Sequence, residues 1–181
     1  MDKKLIVLFP GVRYSTDCPL LYYARLCYEN RGYEVREIHS YEVDGIDGLM
    51  DLDTYAVMAE QNVKRQLQDV DWESYTHIVF ASKSIGTVIA LWLEEELKLL
   101  PVTHILLTPL NQTLPLMEQE HGFRCIVTGT EDSFVDLGRL REICGRKKYP
   151  LTIIDGVGHR LETEENFMEN LEIIRRIAEL Y

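Results

Sequence analysis

Short apolar runs and amphipathic stretches alternate along the whole chain. Leu5 to Phe9 is an unbroken apolar run, the pattern of a strand buried on both faces. After it, Leu20, Tyr23, Ala24, Cys27 and Tyr28 recur at i, i+3, i+4, i+7 and i+8, the stripe of an amphipathic helix. Asp17 is placed to cap that helix, Pro19 suits its first turn, and Gly32 can close it in a left-handed conformation. Glu34 to His39 reads as a second strand, with Val35 and Ile38 on opposite faces. Residues 44–53 are acidic and contain glycine, which predicts a loop, and Thr54 to Gln68 reads as a polar helix. Thr76 to Ala81, Thr103 to Leu107, Phe123 to Thr128 and Leu151 to Ile154 are the remaining strands. Helices are expected over Ile85 to Leu100, near 136–144, and in the last stretch, where Phe167, Leu171, Ile174 and Ala178 form the stripe. In that last helix Glu164 and Glu165 at the start and Arg175 and Arg176 near the end suit the helix dipole.

Strand and helix thus alternate about six times, which argues an α/β fold. The expected architecture is a three-layer α/β/α sandwich around a mostly parallel, six-stranded sheet. A single domain over residues 1–181 is expected, because 181 residues suffice to bury about 70% of the surface an unfolded chain exposes. Open sheets of this kind bind ligands outside the carboxyl ends of their strands. Function should therefore lie in the loops that begin at Pro10, Ser40, Ser82, Thr108, Gly129 and Asp155.

Charge narrows the partners. Nineteen Lys and Arg against 30 Asp and Glu leave a formal net charge of −11. A phosphate backbone repels such a chain, and so do anionic lipids, so neither nucleic acid nor a membrane is expected as a partner. The opening apolar run is too short for a signal-peptide core, and no run is long enough to span a bilayer, so a cytoplasmic protein is expected. Cys18, Cys27, Cys125 and Cys144 form no CxxC pair and no Cys/His cluster at zinc spacing. They read as reduced thiols, and no metal and no cofactor is expected. A flavodoxin-like nucleotide or flavin binder shares the alternating pattern, but neither GxGxxG nor GxxxxGK[ST] follows the first strand.

Three strand ends carry candidate chemistry. The third strand ends in Ser82-Lys83-Ser84-Ile85-Gly86, and a long apolar helix follows at once. This is G-x-S-x-G with Ser in the first glycine position; a serine on such a sharp turn projects its hydroxyl above the sheet, and the flanking positions must be small. The fifth strand leads into Gly129-Thr130-Glu131-Asp132, and the sixth into Asp155-Gly156-Val157-Gly158-His159. Taken singly, the serine is an ordinary helix cap, the acid a turn residue and the histidine a surface group. Together they project from one edge of the sheet in the chain order Ser, Asp, His.

With Phe9-Pro10-Gly11, these segments resemble the α/β-hydrolases over essentially the whole chain. The resemblance implies Ser84 as nucleophile, His159 as general base and acid, and Asp132 as the residue that orients the imidazole. It implies an oxyanion hole from the backbone N–H groups of Ile85 and Val12. The expected function is hydrolysis of a small carboxylic ester or thioester through an acyl-enzyme. The alternative, suggested by the imperfect elbow, is a non-catalytic domain of this fold that binds a ligand or protein. Glu131 is the competing acid, with Asp132 preferred because Gly-x-x-Asp matches the family spacing. Lys83 is expected to pair with a carboxylate at the sheet edge; a Ser-Lys mechanism would instead make His159 dispensable. Only about 15 residues separate Leu107 from Phe123, too few for a cap domain. The site should therefore be shallow, bordered by Arg13, Tyr14, Tyr41, Leu110 and Asn111, with Arg13, Tyr14 and Leu110 as substrate-binding candidates. His39, His77, His104 and His121 have no partner that local spacing can name. A homodimer through the terminal helix or an edge strand is left open.

Overall fold

A computed structural model describes residues 2–41, 52–99, 101–164 and 166–181. Its strands are β1 (Lys4–Phe9), β2 (Glu34–Glu37), β3 (His77–Lys83), β4 (Val102–Leu107), β5 (Gly122–Gly129) and β6 (Leu151–Ile154). All pair in parallel, in the order β2-β1-β3-β4-β5-β6. Parallel neighbours need crossover connections. Helices supply them: α1 (Pro19–Glu29), α2 (Leu52–Gln66), α3 (Ile85–Leu97), α4 (Thr113–Leu116) within the β4–β5 connection, and α5 (Leu137–Lys147), with α6 (Phe167–Ala178) following β6.

The apolar runs are continuous because the central strands are covered on both faces. Leu5, Val7, Phe9, Ile78 and Phe80 point to the layer of α2 and α3, where Ala59, Val63, Ile89 and Leu93 meet them. Ile6, Leu8, Val79 and Ala81 point the other way, onto Leu20, Leu21 and Ala24 of α1 and Ile173 and Ile177 of α6. Toward β5, Leu106 and Ile126 pack with Leu91 of α3 and Leu140 and Ile143 of α5. Each such fully buried aliphatic side chain contributes about 1.5–3 kcal/mol. This is the expected three-layer α/β sandwich, and its sheet is wholly parallel.

Topology places the crevice. β1 and β3 are neighbours, yet β1 leads into α1 on one face and β3 into α3 on the other. The loops that follow them part at their carboxyl ends, which is where a ligand crevice forms.

Several local expectations are corrected. Cys18, not Asp17, occupies the N-cap of α1, with no side-chain cap. The Leu20 N–H is satisfied instead by the Tyr14 hydroxyl at 3.1 Å, a tertiary contact that replaces a local one. α3 ends at Leu97, where Lys98 turns left-handed (φ 48°), three residues before the expected end at Leu100. The short interval between Leu107 and Phe123 holds α4. On α6 the core-facing residues are Ile173 and Ile177, whereas Phe167 is 72% exposed. Of the expected stripe, Ile174 and Ala178 pack half-buried against the same cluster, beside the buried Ile173 and Ile177. Residues 44–51 and Glu165 lie outside the described residues. No helix among the described residues is long and apolar enough to cross a membrane.

Candidate active site

Ser84 stands between the end of β3 and the first turn of α3, with φ 56° and ψ −123°. A non-glycine residue there is strained, and the surroundings hold it in place. The Ser84 N–H donates to the Leu107 carbonyl at 3.0 Å. The Ser84 carbonyl accepts from the Thr87 N–H at 2.9 Å and from the Thr87 hydroxyl at 2.7 Å. The turn needs Gly86, because a Cβ there would lie 2.6 Å from the carbonyl oxygens of both Phe9 and Pro10. Ser82, in the first glycine position of the G-x-S-x-G pattern, is fully buried, and its hydroxyl donates to the Ile105 carbonyl at 3.2 Å. Serine is thus tolerated because its one polar atom finds an acceptor on β4.

His159 Nε2 lies 2.8 Å from Ser84 Oγ, and His159 Nδ1 lies 3.0 Å from both carboxylate oxygens of Asp132. An ionised carboxylate only accepts, so Nδ1 carries the proton and Nε2 is left to accept from the serine. Asp132 Oδ2 also accepts from the Thr128 hydroxyl at 3.1 Å, and Oδ1 from the Phe134 N–H at 3.0 Å. Burial pushes the Asp132 carboxyl up, but the hydrogen bonds from His159, Phe134 and Thr128 more than offset this and hold it below the usual range. Its neighbour Glu131 does not bond the imidazole; it lines an acidic depression beyond it. Phe134 lays its ring 4.6 Å from the imidazole, leaving the His159 side chain 20% exposed.

The loop after β1 closes the other side. Gly11 and Tyr14 exchange backbone hydrogen bonds of 2.9 and 3.2 Å, which lifts Val12 and Arg13 to the tip, Arg13 with φ 59°. The Gly11 backbone abuts Ser84: a Cβ at Gly11 would sit 3.1 Å from Ser84 Cβ. The Val12 N–H follows directly. The Ile85 N–H opens α3 and has no acceptor within that helix. A groove of about 460 Å³ runs from this loop past Arg13, Tyr14, Ser40, Tyr41 and Tyr55. A second depression of about 790 Å³ lies beside His159, among Glu131, Asp155, Arg160, Glu162 and Glu169. Ser84 lines neither, but it contacts Gly11 of the first and His159 of the second.

Other expectations at the site change. Leu110 is a core residue, packed under α2 and α3, rather than a substrate wall. Tyr14 is buried, its hydroxyl taken by Leu20, and burial drives its phenol well above the usual range. Tyr41 is buried too and donates to the Pro10 carbonyl at 2.6 Å, bracing the loop after β1. Asn111 accepts from the Asp136 N–H at 2.7 Å and donates its own N–H to the Phe134 carbonyl at 2.9 Å, so it shapes the loop that carries Asp132. Arg13 alone of the three substrate-binding candidates presents an exposed side chain to the groove. Lys83 makes no ion pair among the described residues; its ammonium is buried against Thr108 and the His159 carbonyl. Burial pushes it down to about 7, against the pull of Asp132.

His104 and His121, without nameable partners in the sequence, meet at Glu94. Glu94 Oε2 lies 2.8 Å from His104 Nε2 and 2.5 Å from His121 Nδ1. These three are the group among the described residues with the donor set for a metal. His104 fits that role poorly. A metal on Nε2 would leave a proton on Nδ1, which is buried with no partner. The trio is better described as a hydrogen-bonded brace between α3, β4 and the start of β5.

No family model and no curated protein matches the chain. Solved structures do. A protein from Xanthomonas campestris pv. campestris, assigned to the α/β-superfamily hydrolases, superposes with TM-score 0.65 at 16% identity, covering 98% of each chain. An esterase from Pyrococcus furiosus gives TM-score 0.67 at 14% identity, over 99% of this chain and 82% of that one. An α/β serine hydrolase without a lid from Xanthomonas campestris gives 0.59 at 12% identity, over 99% and 82%. The chain therefore has the α/β-hydrolase fold.

Proposed function

We propose that the protein is a serine hydrolase that cleaves a small carboxylic ester or thioester through an acyl-enzyme. One observation carries this reading: Ser84 Oγ lies 2.8 Å from Nε2 of an imidazole whose Nδ1 lies 3.0 Å from both oxygens of a buried carboxylate. His159 takes the hydroxyl proton as Ser84 Oγ attacks the acyl carbon. Asp132 stabilises the imidazolium that forms, without taking the proton itself. The N–H groups of Ile85 and Val12 meet the oxyanion; losing one such donor costs about 3 kcal/mol of transition-state stabilisation. The imidazolium then protonates the leaving alcohol or thiol. Water, deprotonated by His159, attacks the acyl-enzyme, and Ser84 is released. The groove at Arg13 receives the rest of the substrate. The hydrolases and the esterase among the structural neighbours support this reaction class.

Purified protein should label with a fluorophosphonate probe and hydrolyse short-chain p-nitrophenyl esters. S84A should abolish both, with a loss on the order of 10⁴-fold or more, while S82A labels as the wild type does. Folded wild-type protein that neither labels nor turns over an ester or thioester would overturn this reading in favour of a binding domain.

A further inference from the structure

Lys83 is the last residue of β3 and immediately precedes Ser84, yet its side chain is only 2% exposed. A buried ammonium is costly, and an apolar side chain of the same length would fill the space without that cost. What the ammonium adds is its donors. Nζ donates to the His159 carbonyl at 2.7 Å and to the Thr108 hydroxyl at 2.5 Å, above the Tyr14 ring with 5.1 Å to its centroid.

Both acceptors matter to the triad. The loop before His159 is tied at Gly156, whose N–H donates to the Thr130 hydroxyl at 2.8 Å, and at Val157, whose carbonyl accepts from the Glu131 N–H at 3.0 Å; the tie on the His159 peptide itself comes from Lys83. Thr108 follows β4 directly, with φ 49°, and its N–H donates to the Val127 carbonyl at 2.7 Å. The next residue on β5 is Thr128, whose hydroxyl holds Asp132. One side chain therefore connects the strand that carries the nucleophile, the loop that carries the base, and the strand end that steadies the acid.

We propose that Lys83 is a positioning residue for His159: its backbone carries Ser84 while its ammonium grips the histidine's own carbonyl, so a single dipeptide sets the distance between nucleophile and base. The inference rests on the hydrolase reading above. Under it, Lys83 performs no proton transfer and touches no substrate.

The test compares wild type, K83M, K83Q and S84A on p-nitrophenyl acetate and a fluorophosphonate, with thermal melts as a check on folding. K83M should lower kcat by about 100-fold, the cost of a misplacement near 1 Å, while KM stays within about twofold. K83Q keeps amide donors and should recover part of the loss. The low-field proton resonance of His159 Nδ1–H, sharp in wild type, should broaden or move in K83M. A plug that merely fills space would leave this resonance and kcat unchanged. If K83M does not fold, K83Q carries the test and should show reduced kcat with unchanged KM. Active wild type with K83M, or K83Q in its place, at the same kcat and an unmoved resonance would overturn the positioning role alone. Wild type as inert as S84A would overturn the hydrolase reading and the positioning role together.

Discussion

Among the described residues the protein contains two histidine–carboxylate groupings, and they are built to opposite ends. At the carboxyl edge of the sheet, His159 gives Nδ1 to Asp132 and turns Nε2 to a hydroxyl beside open grooves. Around Glu94, both imidazoles spend a nitrogen on the same oxygen; His121 gives its other nitrogen to the Leu116 carbonyl, 3.1 Å away, and the His104 side chain is 0% exposed. The first grouping keeps one basic nitrogen aimed at a reactive atom. The second leaves His104 Nδ1 without a partner, but buries it away from any reactive atom. A carboxylate beside a histidine is thus not a catalytic feature in itself. What distinguishes the site is the strained serine that faces His159 Nε2.

Substitutions of the two carboxylates should separate these roles. The largest effect is expected for D132N. An amide can donate to Nδ1 and favour the wrong tautomer, so kcat should fall about ten-thousand-fold while the fold survives. Steady-state kinetics beside a thermal melt would show it, and full activity in D132N would erase the contrast. E94Q should do the reverse. It removes the charge shared by two buried imidazoles and should cost about 1–3 kcal/mol in urea unfolding, with kcat unchanged.

The smallest effect concerns pH. Burial pushes the Glu94 carboxyl up, but the His104 and His121 hydrogen bonds win and hold it at about 2, below its ordinary 4.5. Its stabilisation is complete above pH 4.5 and is lost as pH falls toward 2. Burial works against the charged form of His121, but the Glu94 contacts leave it raised above 6.5, so its share is complete below pH 6.5 and lost as pH rises through that raised value. The difference in unfolding free energy between wild type and E94Q should therefore shrink on both sides of mildly acidic pH. A difference that stays flat from acid to alkali would mean the trio is not held by charge.

How much of this was legible depended on how far apart the partners lie in sequence. Strand ends are marked by local punctuation. Ser82 to Gly86 pairs small residues with a strand-to-helix switch, and Gly129 and Gly158 mark the turns that bring Asp132 and His159 forward. The sheet's polarity then puts all three on one edge. The partner of Lys83 was not legible, because two of its acceptors are a hydroxyl 25 residues away and a backbone carbonyl 76 residues away. Neither leaves a trace in composition. The Glu94 brace was hidden for the same reason. His104 and His121 lie 10 and 27 residues from Glu94, and only the length of α3 and the register of β4 and β5 bring them to it. Thr128, which steadies Asp132, has no motif of its own.

The alternating pattern of buried runs and amphipathic stretches, with glycines at the turns, was by itself enough to determine a parallel α/β sandwich, the edge at which its candidate residues gather and their order. These follow from hydrogen-bonding and burial requirements that act within a few residues. Tertiary structure alone decided that Ile173 and Ile177 are the residues α6 buries most deeply, that Leu110 and Tyr14 serve the core, and that Lys83 spends its charge on the histidine loop. Those outcomes depend on which surfaces meet after the chain has crossed the sheet, and no local spacing encodes that.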